Sequence, residues 1–224
     1  MAGVDEVGRG PLAGPVVAAA VVLPDSRARW VGRLRDSKQL EADERADLAA
    51  AIRRHCDWGL GSVSQQVIDQ IGIAWATRLA MLMAVNQLRA RPDALLIDGR
   101  EFVHCDIEQH ALVRADARCK SVAAASIVAK VERDQTMVEL DSEFPGYGLA
   151  RNKGYSSAEH LEALRRLGYS TVHRLTFAPV RAALRSQRHA TPAIEGRPND
   201  QSRAALMQGD SDDDEPSDAP GPVR

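Results

Sequence analysis

Two adjacent carboxylates, Asp5 and Glu6, sit inside an apolar run, Gly3-Val4-Asp5-Glu6-Val7, that leads straight into Gly8-Arg9-Gly10-Pro11. Burying unpaired carboxylates is costly, so a pair in such a setting holds a metal ion or a proton. The loop behind it offers backbone N–H groups and a guanidinium, donors that suit phosphate and sugar oxygens. Metal-binding acids beside a phosphate-gripping loop imply chemistry on phosphodiesters. Two further acids fit the same pattern. Asp98 follows the apolar stretch Ala94-Leu95-Leu96-Ile97, at a strand end where ligands of α/β sheets bind. Asp116 follows Val113-Arg114-Ala115 and precedes a long alanine-rich segment. Converging, Asp5, Glu6, Asp98 and Asp116 would form an oxygen-rich pocket. Hard oxygen ligands favour Mg²⁺ or Mn²⁺ (magnesium or manganese) over zinc. Two such ions can activate a water and stabilise the leaving oxygen of a phosphodiester.

Simpler roles compete at each position. Asp98 before Gly99 fits a turn residue, and Asp116 fits a turn or helix cap. Asp134 beside Arg133 reads as an exposed or salt-bridged helix residue. The Asp5-Glu6 pair has a weaker alternative, because its surroundings are apolar. On a strand the two side chains point to opposite faces, so sharing a site needs a strand end or the longer glutamate stem. Gly8-Arg9-Gly10-Pro11-Leu12-Ala13 also fits a G-x-G-x-x-G/A dinucleotide fingerprint. That motif must open a helix, whereas the residues that follow here read as a strand.

The elements that would carry these residues follow from periodicity. Strands are expected over 2–7, 16–23, 57–64 and 94–97, from β-branched and apolar runs bounded by Pro, Gly and Asp. Helices are expected over 41–56, 73–89 and 121–140, from apolar residues at three- and four-residue spacing. A further helix begins with Ser156 set three residues before Glu159, and it stops at Gly168. Strands followed by alternating helices give an α/β fold, a mixed sheet with helices on both sides.

Composition narrows the class. The 224 residues suffice for one domain, and 44% are hydrophobic, but only 4% are aromatic, so the core is built from Ala, Val, Leu and Ile. No apolar run reaches the ~18 residues of a membrane span. Asp5 and Glu6 interrupt the first apolar segment and no basic stretch precedes it, so a cytoplasmic location is expected. The three cysteines, Cys56, Cys105 and Cys119, are odd in number and lack Cys-x-x-Cys spacing, which points to ordinary thiols. The net charge of −2 is uneven: residues 186–224 hold eight acids and four bases, leaving 23 acids and 25 bases in 1–185. The expected division is a catalytic domain over 1–185 and a disordered, acidic tail over 186–224.

Several separate motifs, in order, resemble bacterial ribonuclease HII. They are the run from Gly3 to Pro15, Asp36-Ser37-Lys38, Leu96-Ile97-Asp98-Gly99 and Ala115-Asp116. Further on come the Ala123-Ala124-Ala125-Ser126-Ile127-Val128-Ala129-Lys130 segment and Lys153-Gly154-Tyr155. The resemblance extends from Gly3 to about Leu184. It implies an RNase H-like mixed sheet flanked by helices, with a helical C-terminal part. It implies an endonuclease that cleaves the RNA strand of RNA–DNA hybrids and single ribonucleotides embedded in duplex DNA, leaving 5′-phosphate and 3′-hydroxyl ends. Carried over, Asp5, Glu6, Asp98 and Asp116 match the family's metal-binding carboxylates. Gly8, Arg9 and Gly10 match the loop that reads the ribose 2′-hydroxyl. Tyr155 matches the tyrosine that stacks on the following deoxyribose. Lys38 is assigned a phosphate contact, while Lys130 is assigned to the scaffold. The partners implied are hybrid and ribonucleotide-containing duplexes, with no membrane and a monomeric protein.

One departure stands next to the tyrosine motif: Asn152 replaces the histidine common in the family, and a mild effect is expected because Asn also hydrogen-bonds. The acidic tail has no counterpart. Two other functions remain to be weighed. A non-catalytic nucleic-acid-binding module would have no use for four carboxylates that repel phosphate. A dinucleotide-dependent oxidoreductase would need a helix after Gly10.

Overall fold

The computed structural model describes residues 1–25 and 28–190; the predicted tail lies outside the described residues from 191 onward. Five strands form one sheet in the order β3-β2-β1-β4-β5. They are β1 (Ala2–Val7), β2 (Val16–Val22), β3 (Asp57–Val63), β4 (Ala94–Asp98) and β5 (Glu108–Leu112). β1 runs antiparallel to β2 and parallel to β4, and β4 runs parallel to β5. The sheet is therefore mixed, as the sequence predicts, and its central strand carries Asp5 and Glu6. The residues after Gly10 continue into β2 and open no helix, which removes the dinucleotide fingerprint's requirement.

Both faces of the sheet are covered. Ala2 and Val4 of β1, with Ala18 and Ala20 of β2, pack against α4 (Ile73–Asn86). Val17, Ala19 and Val21 turn the other way, onto α2 (Ala42–His55) and α5 (Lys120–Glu143). Small residues let α5 lie directly on the central strand. A Cβ on Gly3 would meet the backbone carbon of Ser121 at 2.2 Å, so any larger residue there would push the helix away. Helix α5 is the spine of the site. Ser126, Arg133 and Met137 fall at helical spacing on its buried side, so the helix reaches from Asp5 to the loop after β1.

A third cluster joins the C-terminal helices to the rest. These are α6 (Leu149–Asn152), α7 (Ala158–Leu167) and α8 (Ala178–Ala190). Leu12 and Ala13 pack there with Met137, Leu149, Leu164 and Val180. Helix α8 continues past the expected 185/186 boundary. The cap of α7 also differs from expectation. Ser157, not Ser156, is the N-cap, its hydroxyl accepting from the His160 amide. Short α1 (Arg29–Arg33), α3 (Gln65–Ile71) and edge strand β5 have too little periodic apolar sequence to be foreseen.

Candidate active site

The site lies at the C-terminal ends of β1 and β4. These strands are parallel neighbours paired Val4 to Ile97, so the next step of the register sets Asp5 beside Asp98. Both follow residues of the α4 face by one position, so both side chains turn toward α5. Asp5 is only 5% exposed. Burial, then the charge of Glu6 and, more weakly, that of Asp98, push its carboxyl well above the usual carboxylate range. The Ser126 hydroxyl on α5 hydrogen-bonds it and the Glu6 amide donates to Oδ1 at 2.8 Å, which partly offsets that rise. Ser126 is itself hydrogen-bonded to Ser37, Oγ to Oγ at 2.9 Å, which ties the Asp36-Ser37-Lys38 turn to the buried acid.

Glu6 leaves β1 on the opposite side, as expected for neighbours on a strand. Burial raises its carboxyl, the nearby Arg9 guanidinium lowers it, and Asp98 raises it again. Arg9 lies 3.6 Å from Glu6 and 3.2 Å from Glu101, and Glu101 in turn pairs with Arg78 of α4 at 2.9 Å. Glu101 and Arg78 were not singled out from the sequence. An acid three residues past the candidate ligand Asp98 is the signal that was there to use.

Asp98 Oδ1 accepts the Ala115 amide at 2.6 Å. This bond draws the β5–α5 loop to the end of β4 and brings Asp116 into range. Burial, then the charges of Asp98 and Asp36, raise the Asp116 carboxyl, while Lys38 lowers it. All four carboxylates thus lie around the C-terminal ends of β1 and β4. Each is held by local donors, and among the described residues no three acids, histidines or cysteines are arranged to cage an ion as they stand. The donor set still fits a hard divalent ion. Asp5, Glu6 and Asp116 are each raised by burial and by the charge of Asp98, an unfavourable state that a nearby cation would relieve.

The residues expected to meet substrate group around the loop after β1. A Cβ on Gly10 would stand 3.6 Å from Tyr155 Cε1, so the tyrosine ring lies against the loop after β1. The Leu12 amide donates to the Gly154 carbonyl at 2.7 Å and locks the two segments together. Asn152 does what was expected of its polar side chain. Its Nδ2 donates to the Tyr147 carbonyl at 2.7 Å and its Oδ1 accepts the Gly154 amide at 2.8 Å. Lys38 is exposed near Asp116. Lys130 is paired with Asp134 at 2.7 Å on the same helix, in keeping with scaffold roles for both. His104 stacks on Trp75 at 5.3 Å between centroids, and the three cysteines are free thiols. Among the described residues no helix is long and apolar enough to cross a membrane.

The chain matches the Ribonuclease HII family over residues 2–180. It is 47% identical over 196 residues to Ribonuclease HII of Syntrophomonas wolfei, covering 87% of this chain and 76% of that protein. It is 52% identical over 178 residues to that of Moorella thermoacetica, covering 79% and 85%. The crystal structure of ribonuclease H2 from Pyrococcus horikoshii superposes with a TM-score of 0.72 at 26% identity, covering 84% of this chain and 98% of that one. Fold, gathered acids and family match agree: the chain belongs to the ribonuclease HII family, metal-dependent ribonucleases that cut the RNA of RNA–DNA hybrids.

Proposed function

We propose that this protein hydrolyses the phosphodiester at single ribonucleotides embedded in duplex DNA as well as the RNA strand of hybrids. The observation that carries this is the contact between Gly10 and Tyr155 beside the buried Asp5. A surface for a ribose and a surface for the next sugar meet at the edge of the carboxylate cluster. Asp5, Glu6, Asp98 and Asp116 are assigned as ligands of two Mg²⁺ or Mn²⁺ ions. Bound there, such ions would supply positive charge against the phosphate and lower the pKa of a water for attack, a hydrolysis whose products would carry 5′-phosphate and 3′-hydroxyl ends.

The protein's own groups do the rest. Ser126 fixes the orientation of Asp5, and Ser37 fixes Ser126. Arg9, poised between Glu6 and Glu101, offers its guanidinium at the mouth of the site. The amides of the 8–10 segment test for the 2′-oxygen, the group that separates a ribonucleotide from its deoxy analogue. Tyr155 lies against the next sugar, and the exposed Lys38 ammonium meets a phosphate near Asp116.

The test is cleavage of an end-labelled DNA duplex with one ribonucleotide, in Mg²⁺, Mn²⁺ and chelator. Metal-dependent cutting on the 5′ side of the ribonucleotide is expected, with no cutting of the all-deoxy duplex. A protein that binds the duplex and never cuts it in either ion would be a binding module instead.

A further inference from the structure

Arg133 of α5 and Arg174, between α7 and α8, are fully buried. Among the described residues neither has a carboxylate at ion-pair distance. Burial pulls Arg133 down to about 10 and Arg174 to about 9, which leaves both charged near neutral pH. An isolated buried cation is costly unless other dipoles replace its hydration. Here the replacements are main-chain carbonyls, all but that of Lys153 from one short stretch, residues 8–15. Arg174 Nη2 donates to Gly8 at 2.6 Å and to Gly14 at 2.8 Å, Nη1 to Arg9 at 3.0 Å, and Nε to Gly14 at 3.0 Å. Arg133 donates to Ala13, Pro15 and Lys153.

A trans peptide points its C=O and the next residue's N–H in opposite directions. Arg174 draws the Gly8 and Arg9 oxygens inward, so the amides of Arg9 and Gly10 are turned outward. Among the described residues no hydrogen bond takes either amide. The outward-turned amides lie on the side where Gly10 is exposed and Tyr155 stands.

We propose that Arg174 is the positioning residue of ribose recognition, holding the Gly8 and Arg9 carbonyls from beneath so that the Arg9 and Gly10 amides face the 2′-oxygen of the substrate. This rests on the assignment of the 8–10 loop as the ribose reader. The planar fork of an arginine reaches three carbonyls at once; a lysine ammonium keeps the charge but cannot span them. Arg174→Lys therefore loosens the aim of the amides while leaving the loop's charge in place.

The experiment compares binding of a duplex with one ribonucleotide and the same all-deoxy duplex, with Ca²⁺ replacing the catalytic ion to prevent cutting. Tyr147→Phe, which removes the buried bond from Tyr147 to the Gly168 carbonyl, controls for general destabilisation. The expected result is a preference for the ribonucleotide duplex that falls about tenfold in Arg174→Lys and persists in Tyr147→Phe, with all-deoxy affinity unchanged. An unchanged preference in Arg174→Lys, or an equal loss on both duplexes, overturns the role of Arg174 while the loop assignment stands. A wild-type protein with no preference overturns the loop assignment and this role with it. Should Arg174→Lys not fold, amide hydrogen exchange on the wild type decides. Fast exchange of the Arg9 and Gly10 amides in the free protein, slowed only by the ribonucleotide duplex, is expected; slow exchange in the free protein overturns the proposal.

Discussion

His160 and His173 face each other through their Nε2 atoms at 3.1 Å, both buried. Their outer nitrogens fix the proton positions. The Ser170 amide donates to His173 Nδ1, so the His173 proton sits on Nε2 and is given to His160. His160 then carries its proton on Nδ1 and donates it to the Tyr155 carbonyl at 2.9 Å. A chain of neutral imidazoles thus anchors the backbone of Tyr155.

That chain predicts an acid-sensitive fold. Burial, then the neighbouring His160, lowers His173 from the ordinary 6.5 to about 4. Between those values the unfolded chain binds a proton that the folded one refuses, so stability falls as pH falls through that window, by up to about 3 kcal/mol. Thermal melts from pH 7 to pH 4.5 should show the loss. His173→Asn, which keeps an acceptor for Ser170, should flatten the slope; an unchanged slope would assign the acid sensitivity to other groups.

Burying Asp5 comes at a cost to the fold. Its carboxyl is buried and pushed up, so it destabilises the metal-free protein increasingly as pH climbs past the usual carboxylate range. Asp5→Asn keeps an acceptor for the Glu6 amide and removes the charge. In chelator its melting temperature should exceed that of the parent, more at pH 8 than at pH 5. Cleavage should fall about 10³-fold or more. Activity within tenfold of the parent, or a lowered melting point at pH 8, would count against the ligand assignment.

Gly8 and Gly10 look equivalent in sequence but differ in structure. Gly8 has φ +93°, and a Cβ there would meet Arg133 Nε at 2.2 Å and the Pro15 carbonyl at 2.8 Å. Gly10 has only Tyr155 within range, at 3.6 Å. Gly8→Ala should cost about 2 kcal/mol or more of stability. Gly10→Ala should fold like the parent and lose affinity for the ribonucleotide duplex. Chemical denaturation beside a binding assay separates the two; equal stability losses would contradict this geometry.

The long elements were legible because they are periodic and apolar. β1, β2, α2, α4 and α5 fall within a few residues of expectation, and the strand-end positions of Asp5 and Asp98 follow from them. What pattern could not show was contact across the chain. Arg174 reaches Gly8 over 166 residues, and no local signal marks it. Arg133 enters the sequence reading only as the neighbour of Asp134, although it lies two turns after Ser126 on the buried side. Glycine at position 8 is marked in the sequence only as part of the matched Gly-Arg-Gly loop. The structure shows that Arg133 fills the space a side chain would need. Edge strand β5, with three of its five residues exposed, carries too little apolar pattern to be seen.

Residues 191–224 are polar and acid-rich, with Pro throughout, a composition that buries little apolar surface. Ending the chain at Ala190, after α8, should leave the melting temperature and cleavage of the ribonucleotide duplex close to those of the full chain. A large drop in melting temperature would show that this segment supports the fold.

Tyr155 separates substrate reading from scaffolding most sharply. The residue is 46% exposed, while its backbone is held independently. The amide donates to the Asn152 carbonyl at 2.9 Å and the carbonyl accepts from His160. Truncating the ring therefore leaves the main-chain anchors in place, and Tyr155→Ala should melt like the parent. The ring acts through area and shape, so Tyr155→Phe should keep most activity. Tyr155→Ala should lose about tenfold or more on the single-ribonucleotide duplex, a loss in the range of one aromatic stacking contact. The loss should be smaller on a continuous RNA–DNA hybrid, because only the junction sets a deoxyribose against the ring. Rates on both substrates, measured beside thermal melts, decide the matter. Equal losses on the two substrates with a lowered melting temperature would make Tyr155 part of the scaffold.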